Sequence, residues 1–221
     1  MVIFDVTDVD CAGAAFELAE VGRAMSRRGW VSATSGNFSA RISNDPLRLL
    51  VTRKGADKAA LSDSDFLVVD RTGGLIAGDC CASAETAIHL AVIRATGASA
   101  VLHTSSVHTT MLADSHARAG GLAVTRGEML QALSGAPVRD DYEWIPALDN
   151  SQDYLALSRA VENRLMRFHG CHGLLLRARG LYAWGADIAE AFRHVEALEA
   201  LAAFRHASQR PPVSRFPGGK G

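Results

Sequence analysis

The chain has 221 residues, of which 48% are hydrophobic and 21% charged, with a formal net charge of -1. That size and balance fit one large globular domain, and near-neutrality leaves no electrostatic footprint for nucleic acid or an anionic membrane. No apolar run approaches the length of about 20 residues that spans a bilayer. Acidic Asp5, Asp8 and Asp10 stand where a signal peptide needs a basic region, so a cytoplasmic small-molecule protein is expected. The four cysteines, Cys11, Cys80, Cys81 and Cys171, lack paired metal spacing. The adjacent Cys80 and Cys81 are expected to be reduced.

In chain order, Phe16, Leu18, Ala19, Val21, Ala24 and Met25 recur at helical spacing over about Ala12 to Arg28, and Gly29 ends the run. Ser35-Gly36-Asn37 is a turn whose backbone N–H groups an anion can approach, although a plain tight turn explains it as well. An alternating run, Phe38 to Ile42, follows. Leu49 to Thr52 reads as a strand leading into the basic turn Arg53-Lys54-Gly55, and Phe66 to Val69 is a further strand closed by Thr72-Gly73-Gly74. Ser83 is the expected N-cap of a helix running to about Thr96, with Glu85 favourable near its positive end and His89 one turn further.

Ala100-Val101-Leu102-His103-Thr104-Ser105 begins apolar and ends in imidazole and hydroxyls, as a buried strand does where it opens into a polar site. On a strand His103 and Ser105 share a face. Two histidines at that spacing would grip one metal, whereas serine is a poor zinc ligand. Beyond it, Thr109 to Ala113 is expected to be helical, Gly120 to Thr125 a strand, and Gly127-Glu128-Met129 a helix start. Trp144 to Leu148 reads as extended, Ser151 as the cap of a helix from Gln152 to Phe168, and Gly173 to Leu176 and Leu181 to Trp184 as strands. Asp187-x-x-Glu190 resembles a capping box for a last helix with Ile188, Phe192, Val195, Leu198 and Leu201 on its buried stripe. Strands interleaved with amphipathic helices imply an α/β protein, a central sheet covered on both sides. One domain over residues 1–208 is expected, with residues 209–221 a flexible tail.

Several short motifs occur in a telling order: Gly29-Trp30, Thr34-Ser35-Gly36-Asn37-Phe38-Ser39, Ser83-Ala84-Glu85, Gly97-Ala98 with Val101-Leu102-His103-Thr104, Gly127-Glu128-Met129, Ile145-Pro146 with Asp149-Asn150, and Arg179-Gly180-Leu181-Tyr182-Ala183-Trp184-Gly185. Together they resemble the class II aldolase/adducin family, and its dehydratase branch most, over nearly all of Ala12 to Arg205. The resemblance implies a three-layer α/β/α fold with a mostly antiparallel central sheet, a homotetramer, and cleavage of, or loss of water from, a phosphorylated ketose. It also implies a zinc-type cation held by three histidines. The first falls on His103. The other two positions hold Ser105 and Arg179, so the family zinc is expected to be lost, since a guanidinium and a divalent metal repel each other.

Other ligand sets drawn from His108, His89, Cys80 and Cys81 remain open, His108 being equally well a helix histidine. By the same resemblance Gly36, Asn37, Gly55 and Ser83 match phosphate-binding turns, and Lys54 stands where a small hydroxyl is usual and can still pair with phosphate. Glu128 matches the dehydratase acid/base, although a glutamate at a helix start needs no such role. Glu85 matches the catalytic carboxylate of the aldolase branch. Three readings follow: a lyase with Arg179 as electrophile, another biosynthetic enzyme that keeps the phosphosugar cradle, or a non-catalytic relative binding an anionic small molecule. Glu128 and the anion turns favour the enzymes, while the lost ligands favour divergence.

Overall fold

The computed structural model describes residues 9–79, 81–125, 127–134 and 142–208. Helix α1 (Val9–Arg27) buries Leu18 and Met25 completely and stops before Gly29, whose φ is 71°. Phe16, read as part of its apolar stripe, is instead 64% exposed. Strands β1 (Asn37–Asn44) and β2 (Leu47–Thr52) pair antiparallel, β3 (Phe66–Asp70) adds to β2, and the short β4 (Leu75–Ala77) closes that edge. Asp70 shapes the last turn by accepting from the Thr72 and Gly74 N–H groups.

Helix α2 (Thr86–Thr96) starts later than a Ser83 cap requires. The Ser83 carbonyl accepts from the Thr86 N–H at 2.9 Å, forming a lead-in turn, and Glu85 is the capping residue. Its carboxylate makes no capping bond because it is drawn into the sheet. Gly97, left-handed at φ 75°, ends the helix and donates to the Ile93 carbonyl. Strand β5 (Ala100–Thr104) is buried throughout. Ser105 lies just past its end and is held by its N–H to the Trp30 carbonyl. The next helix, α3 (Val107–His116), is longer than periodicity implied, because Ser106 caps it by accepting from the Thr109 N–H at 3.1 Å.

After β6 (Gly121–Val124), α4 (Gly127–Ser134) and β7 (Glu143–Leu148), helix α5 (Tyr154–Arg167) is capped by Asp153 and not by Ser151. Ser151 sits two residues back and accepts from the Asp153 N–H. Strands β8 (Gly173–Leu176) and β9 (Gly180–Gly185) precede α6 (Ile188–Ser208). There the expected box forms with a shift of one residue: Asp187 accepts from the Glu190 N–H, while Glu190 reaches back past Asp187 to the Ala186 N–H, both at 2.7 Å.

The nine strands order as β4-β3-β2-β1-β5-β9-β8-β7-β6. β7 and β8 run parallel, joined by α5, and the other pairings are antiparallel. Alternation divides the side chains between two cores. Phe38, Leu50, Leu102 and Ala183 pack with α1, α3, α4 and α6, while Leu49, Val51, Val101 and Trp184 pack with α2 and α5. The fold is therefore the expected three-layer α/β/α arrangement with a mostly antiparallel sheet. None of its described helices is long and apolar enough to cross a membrane.

Candidate functional site

Three neighbouring strands bring one residue each into a single row. In the antiparallel registers of β1, β5 and β9, Asn37 lies opposite His103 and His103 opposite Tyr182. All three face α2, and the His103 and Tyr182 rings stack with centroids 4.1 Å apart and planes 4° from parallel. Glu85, at the start of α2, lowers its carboxylate onto this row. Its Oε2 accepts from Tyr182 OH at 2.8 Å and from the Asn37 amide, while Oε1 pairs with Arg179. His103 Nδ1 comes within 3.1 Å of Oε2, a close contact without hydrogen-bond alignment.

The buried Glu85 is thus surrounded by donors. Burial pushes its carboxyl up, but the contacts with His103, Asn37 and Tyr182 outweigh that and hold it well below the usual carboxylate range. A carboxylate held so low is a weak base. Its geometry suits anchoring a cation better than shuttling a proton.

A second chain of bonds fixes Asn37. His89, fully buried, has Nε2 against Asn37 Oδ1 and Nδ1 2.7 Å from Ser39 Oγ. Burial, then the neighbouring His103, push the His89 imidazole down to about 3 against the opposing pull of Glu85. Neutral His89 therefore donates from Nε2 and accepts from Ser39 at Nδ1. The opposite amide orientation would set Asn37 oxygen against the Glu85 carboxylate. Both ends of the Asn37 side chain, predicted for phosphate, are engaged in positioning Glu85.

Arg179 enters from the turn between β8 and β9. Ala178 takes φ 56° there, with its N–H bound to Asp114 at 2.8 Å, and Gly180 follows at φ 112°. A Cβ at Gly180 would lie 2.3 Å from the Thr104 carbonyl oxygen, so glycine is required for the turn to close on β5. The guanidinium bonds to Glu85 and to Tyr154 OH, and its side chain remains 27% exposed. Burial pulls its pKa down, but Glu85 and both tyrosines raise it overall.

These residues form one end of a cleft of about 740 Å³. Gly36, Asn37, Lys54, Gly55, Ser83, Glu85, His103, Ser105 and Arg179, dispersed in sequence, all line it. Gly36, at φ 75°, packs so closely that a Cβ would lie 2.7 Å from the His103 carbonyl. Arg53 is committed to Asp65 at 2.7 Å. The Lys54 N–H pairs with the Cys81 carbonyl, tying the basic turn to the approach of Ser83. Glu128 lies in α4, and its side chain is outside the described residues.

The donor set does not fit the family's zinc-type ion. His103 Nδ1 faces a carboxylate, and Nε2 lies 3.2 Å from the Arg179 carbonyl oxygen, so both nitrogens point at proton acceptors. Ser105 and Arg179, which the family resemblance matches to the other two ligand positions, also line the cleft. Among the described residues no three His, Cys, Asp or Glu side chains converge for a metal. His89 is enclosed by Ser39 and Asn37, His108 lies beside His206 outside the cleft lining, and Cys81 is exposed. Cys80 lies outside the described residues.

The sequence reading did not single out Tyr182, Tyr154 or Ser39, and offered His89 only among alternative ligands, whereas its ring holds Asn37 and Ser39. Tyr182 stood inside a quoted motif and Glu85 to His89 has helical spacing, which were usable signals. Nothing local to Tyr154 linked it to Arg179, 25 residues away.

The sheet order and this cleft define a class II aldolase-type fold. Solved structures agree: YgbL from Klebsiella pneumoniae, a putative aldolase/epimerase/decarboxylase, superposes with a TM-score of 0.76 at 21% identity over 92% of this chain and 93% of that one. L-fuculose-1-phosphate aldolase from Thermus thermophilus gives 0.71 at 26% identity, covering 90% and 97%. Residues 16–206 match the Class II Aldolase and Adducin N-terminal domain, and the chain belongs to that family. Methylthioribulose-1-phosphate dehydratase of Methylococcus capsulatus is 38% identical over 88% of this chain and 93% of its own. The enzyme of that name from Marinobacter nauticus is 37% identical over 90% and 94%.

Proposed function

We propose that this chain is a dehydratase-type lyase that removes water from a phosphorylated ketose of the methylthioribulose 1-phosphate kind, with Arg179 in place of the metal. The observation that carries this reading is a guanidinium, fixed by Glu85 and Tyr154, at one end of a cleft shared with glycine-bearing turns and Lys54. The relatives named as dehydratases support the reaction class. Gly36, Lys54, Gly55 and Ser83 receive the phosphate, and Arg179 receives the carbonyl oxygen.

A base takes the proton from the carbon beside the carbonyl, and the electron pair moves to the carbonyl oxygen, where the Arg179 N–H groups hold the enolate charge. The pair then returns to form the carbon–carbon double bond. The hydroxyl on the next carbon leaves as water, carrying the proton the base had taken. Glu128, by its motif position, is the residue assigned to that proton, and Glu85 orients Arg179. The working form is a cytoplasmic homotetramer, a reading supported by the family resemblance and tested by light scattering.

A second reading has its own observation. Glu85 is paired with Arg179, and His103 Nε2 is engaged by the Arg179 carbonyl, which equally suits a protein that binds a phosphorylated or anionic small molecule without transforming it. Turnover of methylthioribulose 1-phosphate separates the two, compared for wild type, Arg179→Ala and the double variant Ser105→His with Arg179→His, each with and without zinc. The lyase reading expects wild type to act without stoichiometric zinc and Arg179→Ala to lose on the order of 10²-fold or more in rate. Activity confined to the zinc-loaded double variant, or one tightly held zinc per wild-type chain, overturns it.

A further inference from the structure

Lys58 takes no part in the chemistry above, yet it is only 1% exposed. Burying an ammonium is unfavourable unless its donors are satisfied. Lys58 Nζ meets this need with backbone oxygens, donating to the Ala56 carbonyl at 2.6 Å and to the Thr34 carbonyl at 3.3 Å. The two acceptors belong to different segments. Thr34 lies in the turn that the Ser35 N–H closes on the Ser32 carbonyl, just before Gly36, and Ala56 closes the turn begun at Arg53, its N–H returning to the Arg53 carbonyl. Thr34, Ser35, Gly36, Arg53, Lys54 and Gly55 all line the cleft.

One cation therefore ties together, from the core side, the two glycine turns read above as receiving phosphate. Ser35 Oγ, buried in the first of these turns, has no partner among the described residues, as expected of a hydroxyl held for a ligand. The carbonyl dipoles of both turns are neutralised by the ammonium, and its positive charge lies behind them. Such a charge in a poorly solvated place acts over a longer range than one at the surface.

We propose that Lys58 is a positioning residue for anion binding, joining the two turns into one cradle and giving it a preference for a phosphate-bearing ligand. This rests on the cradle reading under Proposed function. Burial lowers the Lys58 pKa, with Asp57, Asp65 and Glu85 opposing and Arg53 assisting. None of those four neighbours changes charge in the alkaline range. Cradle affinity should thus fall, as pH rises, through the lowered Lys58 pKa.

The test is calorimetric titration of inorganic phosphate into wild type, Lys58→Met, Lys58→Gln and Lys54→Ala, with thermal unfolding and amide exchange on each. Lys58→Met keeps an unbranched side chain one atom shorter and removes the charge, and is expected to weaken phosphate on the order of tenfold. Wild type and Lys54→Ala should both show the alkaline loss, and Lys58→Met should lack it. Exchange should quicken in both turns, 34–36 and 53–56, and not elsewhere. Lys58→Gln, which still donates to a carbonyl, should protect the turns but not restore the affinity or its pH dependence. If wild type binds no phosphate, the cradle reading itself is wrong and this role falls with it. If wild type and Lys58→Met bind phosphate equally at every pH, the cradle stands and Lys58 is only structural.

Discussion

Replacing Arg179 by methionine tests the central contact of the cleft without any assumption about turnover. Removing one partner of a buried ion pair costs about 3–5 kcal/mol, because the remaining charge loses its partner without regaining water. Here Glu85 is 8% exposed at its side chain and Arg179 27%, so water can enter part of the vacated space. Oε2 also retains Asn37 and Tyr182. These two features reduce the expected loss to about 2–3 kcal/mol.

The reverse change is milder. Glu85→Gln leaves Arg179 with Tyr154 and solvent, and about 1–2 kcal/mol is expected. The double variant should be more stable than the sum of the single losses implies, by a coupling of about 1–3 kcal/mol. Urea unfolding at neutral pH on the four proteins measures all three quantities. A loss below about 0.5 kcal/mol for Arg179→Met, or strict additivity, would refute the claim that Glu85 anchors the guanidinium.

The His89 imidazole is pushed to about 3 by burial, so between the ordinary histidine value and that point the unfolded chain binds a proton that the folded one does not. Stability should therefore fall as pH drops through this window, by about 1.4 kcal/mol per unit from this residue, and His89→Gln should flatten the slope in urea melts at pH 7, 6 and 5. Glu85 acts in the same sense at lower pH: its depressed pKa means the unfolded chain protonates first, so its contribution is full above the ordinary carboxylate value and is lost as pH falls below it. At Ala178, φ 56° is unfavourable for an L-residue. Ala178→Gly should raise stability by about 0.5–1 kcal/mol, and a clear loss in thermal melts would show that Ala178 is held there by packing and not merely tolerated.

Local signals determined much of this protein. Alternating and helical spacing identified most elements, and the order of the short motifs identified the family, because both depend on residues adjacent in sequence. They could also place His103 at the end of a buried strand, since an apolar run turning polar is itself a local pattern. The cap positions were less legible, because Ser83 and Ser151 compete with acidic neighbours, and the choice depends on where each carboxylate is drawn. Glu85 was matched to a catalytic carboxylate, but only the tertiary structure gives it Arg179 across 94 positions of chain and Tyr182 across 97. The Asn37–His103–Tyr182 row exists only once three strands settle in register. No local pattern singles out Lys58, whose burial and carbonyl partners come only from two turns that meet in the fold. A residue's periodicity follows from its neighbours in the chain, whereas its ionisation and its partners follow from the groups that folding brings around it.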